Sequence, residues 1–247
     1  MKLKDKVAVV TGAAGGIGST FVKELDKENV DCVLIEKDEE SVKRLISSLQ
    51  GKNHSYFICD FRRTSEILRL VKKIKRAYKK IDLLINVAGI GVYKSIEDIR
   101  LSEWEDSLAI NLTSPFLLIK KLIPLLNKSE SPLVINVGSG AGIMPFTNRV
   151  AYCSSKYGLR GMTLTLAKEY EGRKLEFCLI TLGSVMTNFG PLSIEDRKKG
   201  EKKGKSYFVP EWVAKKLVGI IKDNKREVEI VLFPSNYEEE VKISTWL

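Results

Sequence analysis

The sequence predicts one doubly wound α/β domain, a parallel sheet with helices on both faces. Two observations carry that expectation. Strand-like and helix-like segments alternate along the 247 residues with no linker between them. The run Ile81–Val87 reads as a strand apolar enough to be covered on both faces.

The elements follow in order. Val7–Thr11 is a short β-rich run ending in glycine, Ser19–Lys27 is helical in pattern, and Asp31–Glu36 is again strand-like. A helix over Glu39–Leu49, a strand over Ser55–Cys59 and a helix over Ser65–Lys79 come next, followed by the strand Ile81–Val87. Trp104–Leu126 reads as one long helix that tolerates Pro115 and Pro124 with some bending. Leu133–Val137 is a strand, Ala151–Tyr170 a helix and Leu175–Thr181 a strand. Pro210–Lys222 is a helix opened by proline, and Val228–Phe233 is the last strand. The segment 190–208, with its lysine- and glycine-rich stretch Glu195–Lys205, reads as a mobile loop near the substrate.

Composition narrows the functional classes. Apolar residues make up 44% and charged residues 29%, so a core can be buried. Val7–Val10 is too short an apolar run for a signal peptide, and Phe116–Leu126, interrupted by Lys120 and Lys121, falls short of a membrane span of about 18 residues. The expectation is a soluble cytoplasmic protein with no integral membrane segment. The four cysteines show no metal-ligand spacing, and one histidine, His54, leaves no basis for a His-based metal site or a Ser-His-Asp triad. No metal is expected. The net charge of +10 comes with no stacking or reading-helix motif, so nucleic acid is not an expected partner.

The first motif is Thr11-Gly12-Ala13-Ala14-Gly15-Gly16-Ile17-Gly18, between the first strand and the first helix. Glycines here allow a tight turn and bring backbone amides to a pyrophosphate at a helix N-terminus. Gly12, Gly15, Gly16, Ile17 and Gly18 are therefore candidate dinucleotide contacts, and the domain is of Rossmann type. Glu36 ends the second strand eighteen residues after Gly18, near the spacing expected of an acid that accepts ribose hydroxyls. Its charge repels a 2′-phosphate and favours NAD(H). Lys37 next to it can offset that repulsion, so NADP(H) stays open.

The second constellation is chemical. Lys156 follows Tyr152 by four residues, so the two share a helix face. A phenol titrates near 10, and a neighbouring ammonium lowers that value toward one useful to a general base. Spacing alone is weak, because Tyr170 and Lys174 repeat it. What distinguishes Tyr152 is Ser139, thirteen residues upstream at a strand end, where a hydroxyl can hydrogen-bond a developing oxyanion.

With Asp60, Asn86-Val87-Ala88-Gly89, Asn111 and Tyr152-x-x-Ser155-Lys156 added, nearly the whole chain resembles the short-chain dehydrogenase/reductase family. The resemblance implies Tyr152 as general acid/base, and Lys156 as the group that lowers its pKa while holding the nicotinamide ribose. It implies Ser139 as the substrate-orienting hydroxyl and Asn111 as the holder of a water in a proton relay from Lys156. Asp60 and Phe61 would contact the adenine, Asn86 to Gly89, with Ala88 between them, would line the cofactor floor, and Thr187 would hold the carboxamide. The usual Pro-Gly after the sixth strand reads Leu182-Gly183. The closing segment Asn224–Val231 is similar to branches acting on assorted ketones and alcohols rather than on carrier-protein substrates. The family commonly pairs through its long central helices, here 104–126 and 151–170, which implies a homodimer or larger homo-oligomer.

The expected activity is hydride transfer between a nicotinamide and a small-molecule ketone or secondary alcohol. Ile143, Met144, Phe146, Phe189, Leu192 and Tyr207 are candidate apolar pocket walls. The rival is a dinucleotide-binding regulatory or scaffold protein without catalysis.

Overall fold

The computed structural model describes residues 1–234; residues 235–247, included in the expected domain, lie outside the described part. Seven parallel strands form one sheet in the order β3-β2-β1-β4-β5-β6-β7. They are β1 (Val7–Thr11), β2 (Asp31–Glu36), β3 (Ser55–Ile58), β4 (Leu83–Asn86), β5 (Leu133–Val137), β6 (Glu176–Leu182) and β7 (Glu229–Leu232). Chain order reverses direction between β1 and β4, so the carboxyl ends of these two strands flank a crevice.

Alternation along the strands sends side chains to two separate cores. Ala8, Val10, Leu34, Ile85, Ile135 and Ile180 face the layer of α1 (Gly16–Lys27), α2 (Glu39–Ser47) and α8 (Pro210–Lys222). Val9, Val33, Leu84, Val134 and Phe177 face α3 (Thr64–Ala77) and α5 (Ser114–Leu126). Helix α6 (Val150–Glu169) packs on β6 beside α4 (Leu101–Leu108). Buried polar side chains interrupt the apolar pattern in and beside the strands. Asp82, just before β4, is wholly buried and accepts from Val7 N–H (2.9 Å), Ser129 Oγ (2.5 Å) and the Lys6 ammonium (3.2 Å). Asn86 hydrogen-bonds Asn136 on β5 at 2.8 Å.

The expected long helix over Trp104–Leu126 is not continuous. It begins at Leu101, and Ala109–Thr113 widens into a π-turn between α4 and α5. Pro115 has no N–H for the carbonyl of Asn111, so the α-helical ladder cannot run through this point. Leu101–Leu126 is the one helical stretch among the described residues long and apolar enough, by composition, to cross a membrane. Here Leu118, Leu122 and Leu126 are buried against the sheet.

The expected loop at 190–208 is also corrected in part. Ile194–Glu201 forms helix α7, because Ser193 and Asp196 make a reciprocal capping box at its start. Arg197 on this helix is buried. The first helix starts at Gly16 rather than Ser19, because the glycine turn itself leads into the first helical residues.

Candidate active site

The glycine loop lies at the carboxyl end of β1. Gly12 takes a left-handed φ of +63°, and a Cβ on it would stand 2.8 Å from the Cα of Ala88, so only glycine fits the turn at this approach. Thr11 Oγ1 accepts from the N–H groups of Val87 and Ala88 at 3.2 Å each, fixing the chain after β4 against the same loop. Gly15 is the N-cap of α1 and gives it no side-chain cap, so first-turn N–H groups remain for an anion. Thr187 covers the loop: its Cγ2 lies 2.5 Å from where a Cβ on Gly16 would be.

A groove of about 860 Å³ runs from this loop across the strand ends. Gly12, Gly15, Gly16, Ile17, Gly18, Glu36, Asp60, Phe61, Ala88, Gly89 and Thr187 all line it. Glu36 Oε1 accepts from Ala14 N–H at 2.9 Å, so the acid stands at the mouth of the glycine turn. Asp60 is clamped by Arg62, whose Nε lies 3.0 Å from both carboxylate oxygens. That contact holds its pKa down at about 2. Asn86 differs from expectation. It does not line the groove but sits beneath it, in a buried chain from its amide to Asn136 Oδ1 and from Asn136 to Thr163 Oγ1 at 2.9 Å.

A second cavity, about 370 Å³, holds Ser139, Tyr152 and Lys156. It shares Ile17, Val87, Gly89, Thr187 and Phe189 with the groove, so the two form one continuous cleft. Ser139 follows β5 and caps a short 3₁₀ turn, Gly140–Gly142, its Oγ accepting from Ala141 N–H at 3.2 Å. Tyr152 is 5% exposed, between the rings of Tyr93 (5.7 Å) and Phe189 (5.8 Å). Burial pushes its phenol above the ordinary value, and the hydroxyl of Ser139 pulls against that rise. Lys156 is buried one turn further on and donates to Val137 O at 2.8 Å. Desolvation lowers its pKa to about 8.

Asn111 sits in the π-turn, 1% exposed. Its Oδ1 accepts from Ile90 N–H at 2.9 Å, and its Nδ2 donates to Ile90 O and to Ser155 Oγ, each at 2.9 Å. The carboxamide is therefore used up tying the segment after β4 to α6.

The repeated Tyr170–Lys174 spacing separates in three dimensions. Tyr170 packs on Phe177 at 5.2 Å, and Lys174 pairs with Glu130 at 3.4 Å. His54 is a packing residue: its Nδ1 accepts from Cys32 N–H at 3.1 Å, which leaves Nε2 to donate to Asp26 at 2.9 Å. Of the expected pocket walls, Met144, Phe146 and Phe189 line the cavity, whereas Ile143, Leu192 and Tyr207 do not. Sequence reasoning missed Tyr93 and Arg197 as cavity residues. No motif marks Tyr93, and Arg197 is hidden in a basic run.

A family model described as short chain dehydrogenase matches residues 6–198. The chain belongs to the short-chain dehydrogenase/reductase family. It is an oxidoreductase of that family, whose fold binds NAD(P). Among relatives, this short-chain dehydrogenase/reductase is 29% identical over 191 residues to the D-threitol dehydrogenase of Mycolicibacterium smegmatis, covering 76% of this chain and 74% of that one. It is 30% identical over 189 residues to the 3-oxoacyl-acyl-carrier-protein reductase of Buchnera aphidicola, covering 76% and 77%. A solved metagenomic short-chain oxidoreductase in complex with NADP matches with a TM-score of 0.78 and 25% identity, over 95% of this chain and 99% of that one.

Proposed function

We propose that this short-chain dehydrogenase/reductase moves hydride between NAD(H) and a ketone or secondary alcohol with an apolar body, Tyr152 acting as general acid/base. The supporting observation is that Ser139, Tyr152 and Lys156 meet in a cavity continuous with a groove built around an uncapped helix N-terminus. A nicotinamide bound there supplies or takes up the hydride. In the reducing direction Tyr152 gives its phenolic proton to the carbonyl oxygen, while Ser139 Oγ–H donates to the same oxygen and orients it. Lys156 supplies the positive charge that stabilises the resulting phenolate, and holds the nicotinamide ribose.

The residues of the groove fit a dinucleotide. The free N–H groups of the glycine turn receive the pyrophosphate, Glu36 the adenosine ribose, Asp60 and Phe61 the adenine, and Thr187 the carboxamide. Glu36 is the basis for favouring NAD(H) over NADP(H). Because the Asn111 side chain is committed to Ile90 and Ser155, a relay through this residue falls to its main-chain carbonyl, which Pro115 cannot serve as donor.

We further propose a homodimer formed through α4–α5 and α6, where Leu101, Phe116, Val150 and Tyr157 stand exposed; sedimentation as a monomer would remove this part. A cytoplasmic setting agrees with four free cysteines.

The test is NAD(P)H-dependent turnover of a carbonyl panel by wild type and Tyr152→Phe. Wild type turns over, and the variant loses about 10²–10⁴-fold in kcat while still binding cofactor. Cofactor binding without turnover in either protein supports instead the dinucleotide-binding regulatory reading.

A further inference from the structure

Two guanidiniums, Arg149 and Arg197, line the Tyr152 cavity, and neither is paired with a carboxylate among the described residues. Arg197 is 6% exposed. Its Nε donates to Thr187 O at 2.6 Å and its Nη2 to Phe189 O at 2.5 Å, with the Tyr207 ring 5.7 Å away. Nη1 makes no hydrogen bond among the described residues. Arg149, just before α6, lies over the rings of Tyr93 (4.2 Å) and Phe146 (4.9 Å) and makes no side-chain hydrogen bond among the described residues.

Elsewhere this fold gives partly buried arginines an acid. Arg160 is held by Glu229 through Nε and Nη2, and Arg226 by Glu176. A guanidinium withdrawn from water without an anion is costly, and carbonyl oxygens offset only part of that cost. Arg197 is buried and Arg149 half-buried, and two guanidinium-bearing residues on one cavity suit an acidic group. Both act on the same neighbour: burial raises the Tyr93 phenol, and Arg149 and Arg197 each pull it back. Tyr93 in turn contacts Tyr152 ring to edge. Arg149, over the Tyr93 ring, is thus one aromatic ring from the ring of Tyr152.

We propose that the substrate is a ketone or secondary alcohol bearing a carboxylate or phosphate, which Arg149 and Arg197 bind while Tyr152 and Ser139 hold the carbonyl oxygen. This rests on the oxidoreductase reading above and names the substrate class of the same site. Met144, Phe146 and Phe189 supply the apolar wall for the carbon body of such a molecule.

The experiment uses short methyl ketones in three matched forms, ending in a free carboxylate, its methyl ester or a phosphate monoester. Each is offered with saturating NADH to wild type, Arg149→Met and Arg197→Lys. The acidic forms are expected to exceed the ester by about ten- to a hundredfold in kcat/KM, mainly through KM, with the better acid naming the source of the anion. That ratio should fall toward one in Arg149→Met. Equal kcat/KM for acids and ester overturns the proposal and leaves the oxidoreductase reading intact. No turnover of any form counts against that reading instead. Melting temperature with NADH and each compound then decides the anion site: stabilisation by the acids alone, lost in Arg149→Met, sustains it, and its absence overturns it.

Discussion

The ammonium of Lys156 donates to the main-chain carbonyl of Val137 at 2.8 Å, joining α6 to the carboxyl end of β5. This contact is made in a fully buried position, where a charge is costly, and the pKa of about 8 records that cost. The folded value lies below the ordinary lysine value, so the folded state binds this proton less tightly than the unfolded chain does. The penalty is therefore fully present below about pH 8 and is relieved as pH rises toward 10.5. Lys156→Met should raise the cofactor-free melting temperature at pH 7, a gain of up to about 3 kcal/mol, while removing turnover. The stability difference should shrink between pH 8 and pH 10.5; a pH-independent difference in thermal unfolding contradicts the assignment.

Glu36 stands beside Ala14 N–H at the mouth of the glycine turn, and the proposed preference for NAD(H) rests on its charge. Wild type should bind NADH more tightly than NADPH, and Glu36→Ala should shift the ratio of the two dissociation constants toward NADPH by about tenfold or more, since a like-charge contact is removed. Fluorescence titration of both cofactors measures this. Tighter NADPH binding by wild type, unchanged in the variant, refutes it.

Gly12→Ala combines a left-handed φ of +63° with a Cβ 2.8 Å from the Ala88 backbone. The loop must move, at a cost of about 1–3 kcal/mol. A lower melting temperature with cofactor affinity reduced at least tenfold is expected from paired unfolding and titration measurements. Unchanged affinity would show that the turn is not where the dinucleotide binds.

Asp82 is the acid that holds β1 to β4 away from the site. Burial opposes its ionisation, yet Ser129, Val7 N–H and Lys6 together keep its pKa below the usual carboxylate value. Its stabilising contribution is present above the unfolded-state value near 3.9 and is lost as pH falls through the depressed folded value. Asp82→Asn should cost about 1–3 kcal/mol at pH 7 and lose part of the acid sensitivity of unfolding, with activity per folded molecule retained. Denaturant titrations at pH 7 and pH 3 test both.

Much of the fold was legible in the residues. Strand-helix alternation, the glycine turn after β1 and the acid ending β2 are local features, and each element formed within a few residues of its expected bounds. Two exceptions have local causes that the pattern concealed. Pro115 deprives Asn111 of a helical donor and opens a π-turn, and the Ser193–Asp196 capping box starts a helix within a lysine-rich stretch.

The sequence by itself determined the sheet class, the strand ends where ligands can bind, and the shared helix face of Tyr152 and Lys156, because periodicity and spacing are properties of neighbours along the chain. Tertiary structure alone decided which tyrosine-lysine pair enters a cavity, since Tyr170 packs on Phe177 while Tyr152 stands between Tyr93 and Phe189. It also decided that Asn86 braces β5 rather than lining the groove, and that Arg197 is a buried cation rather than a solvated one. Burial and charge pairing depend on residues far apart in sequence, and only the folded chain brings them together.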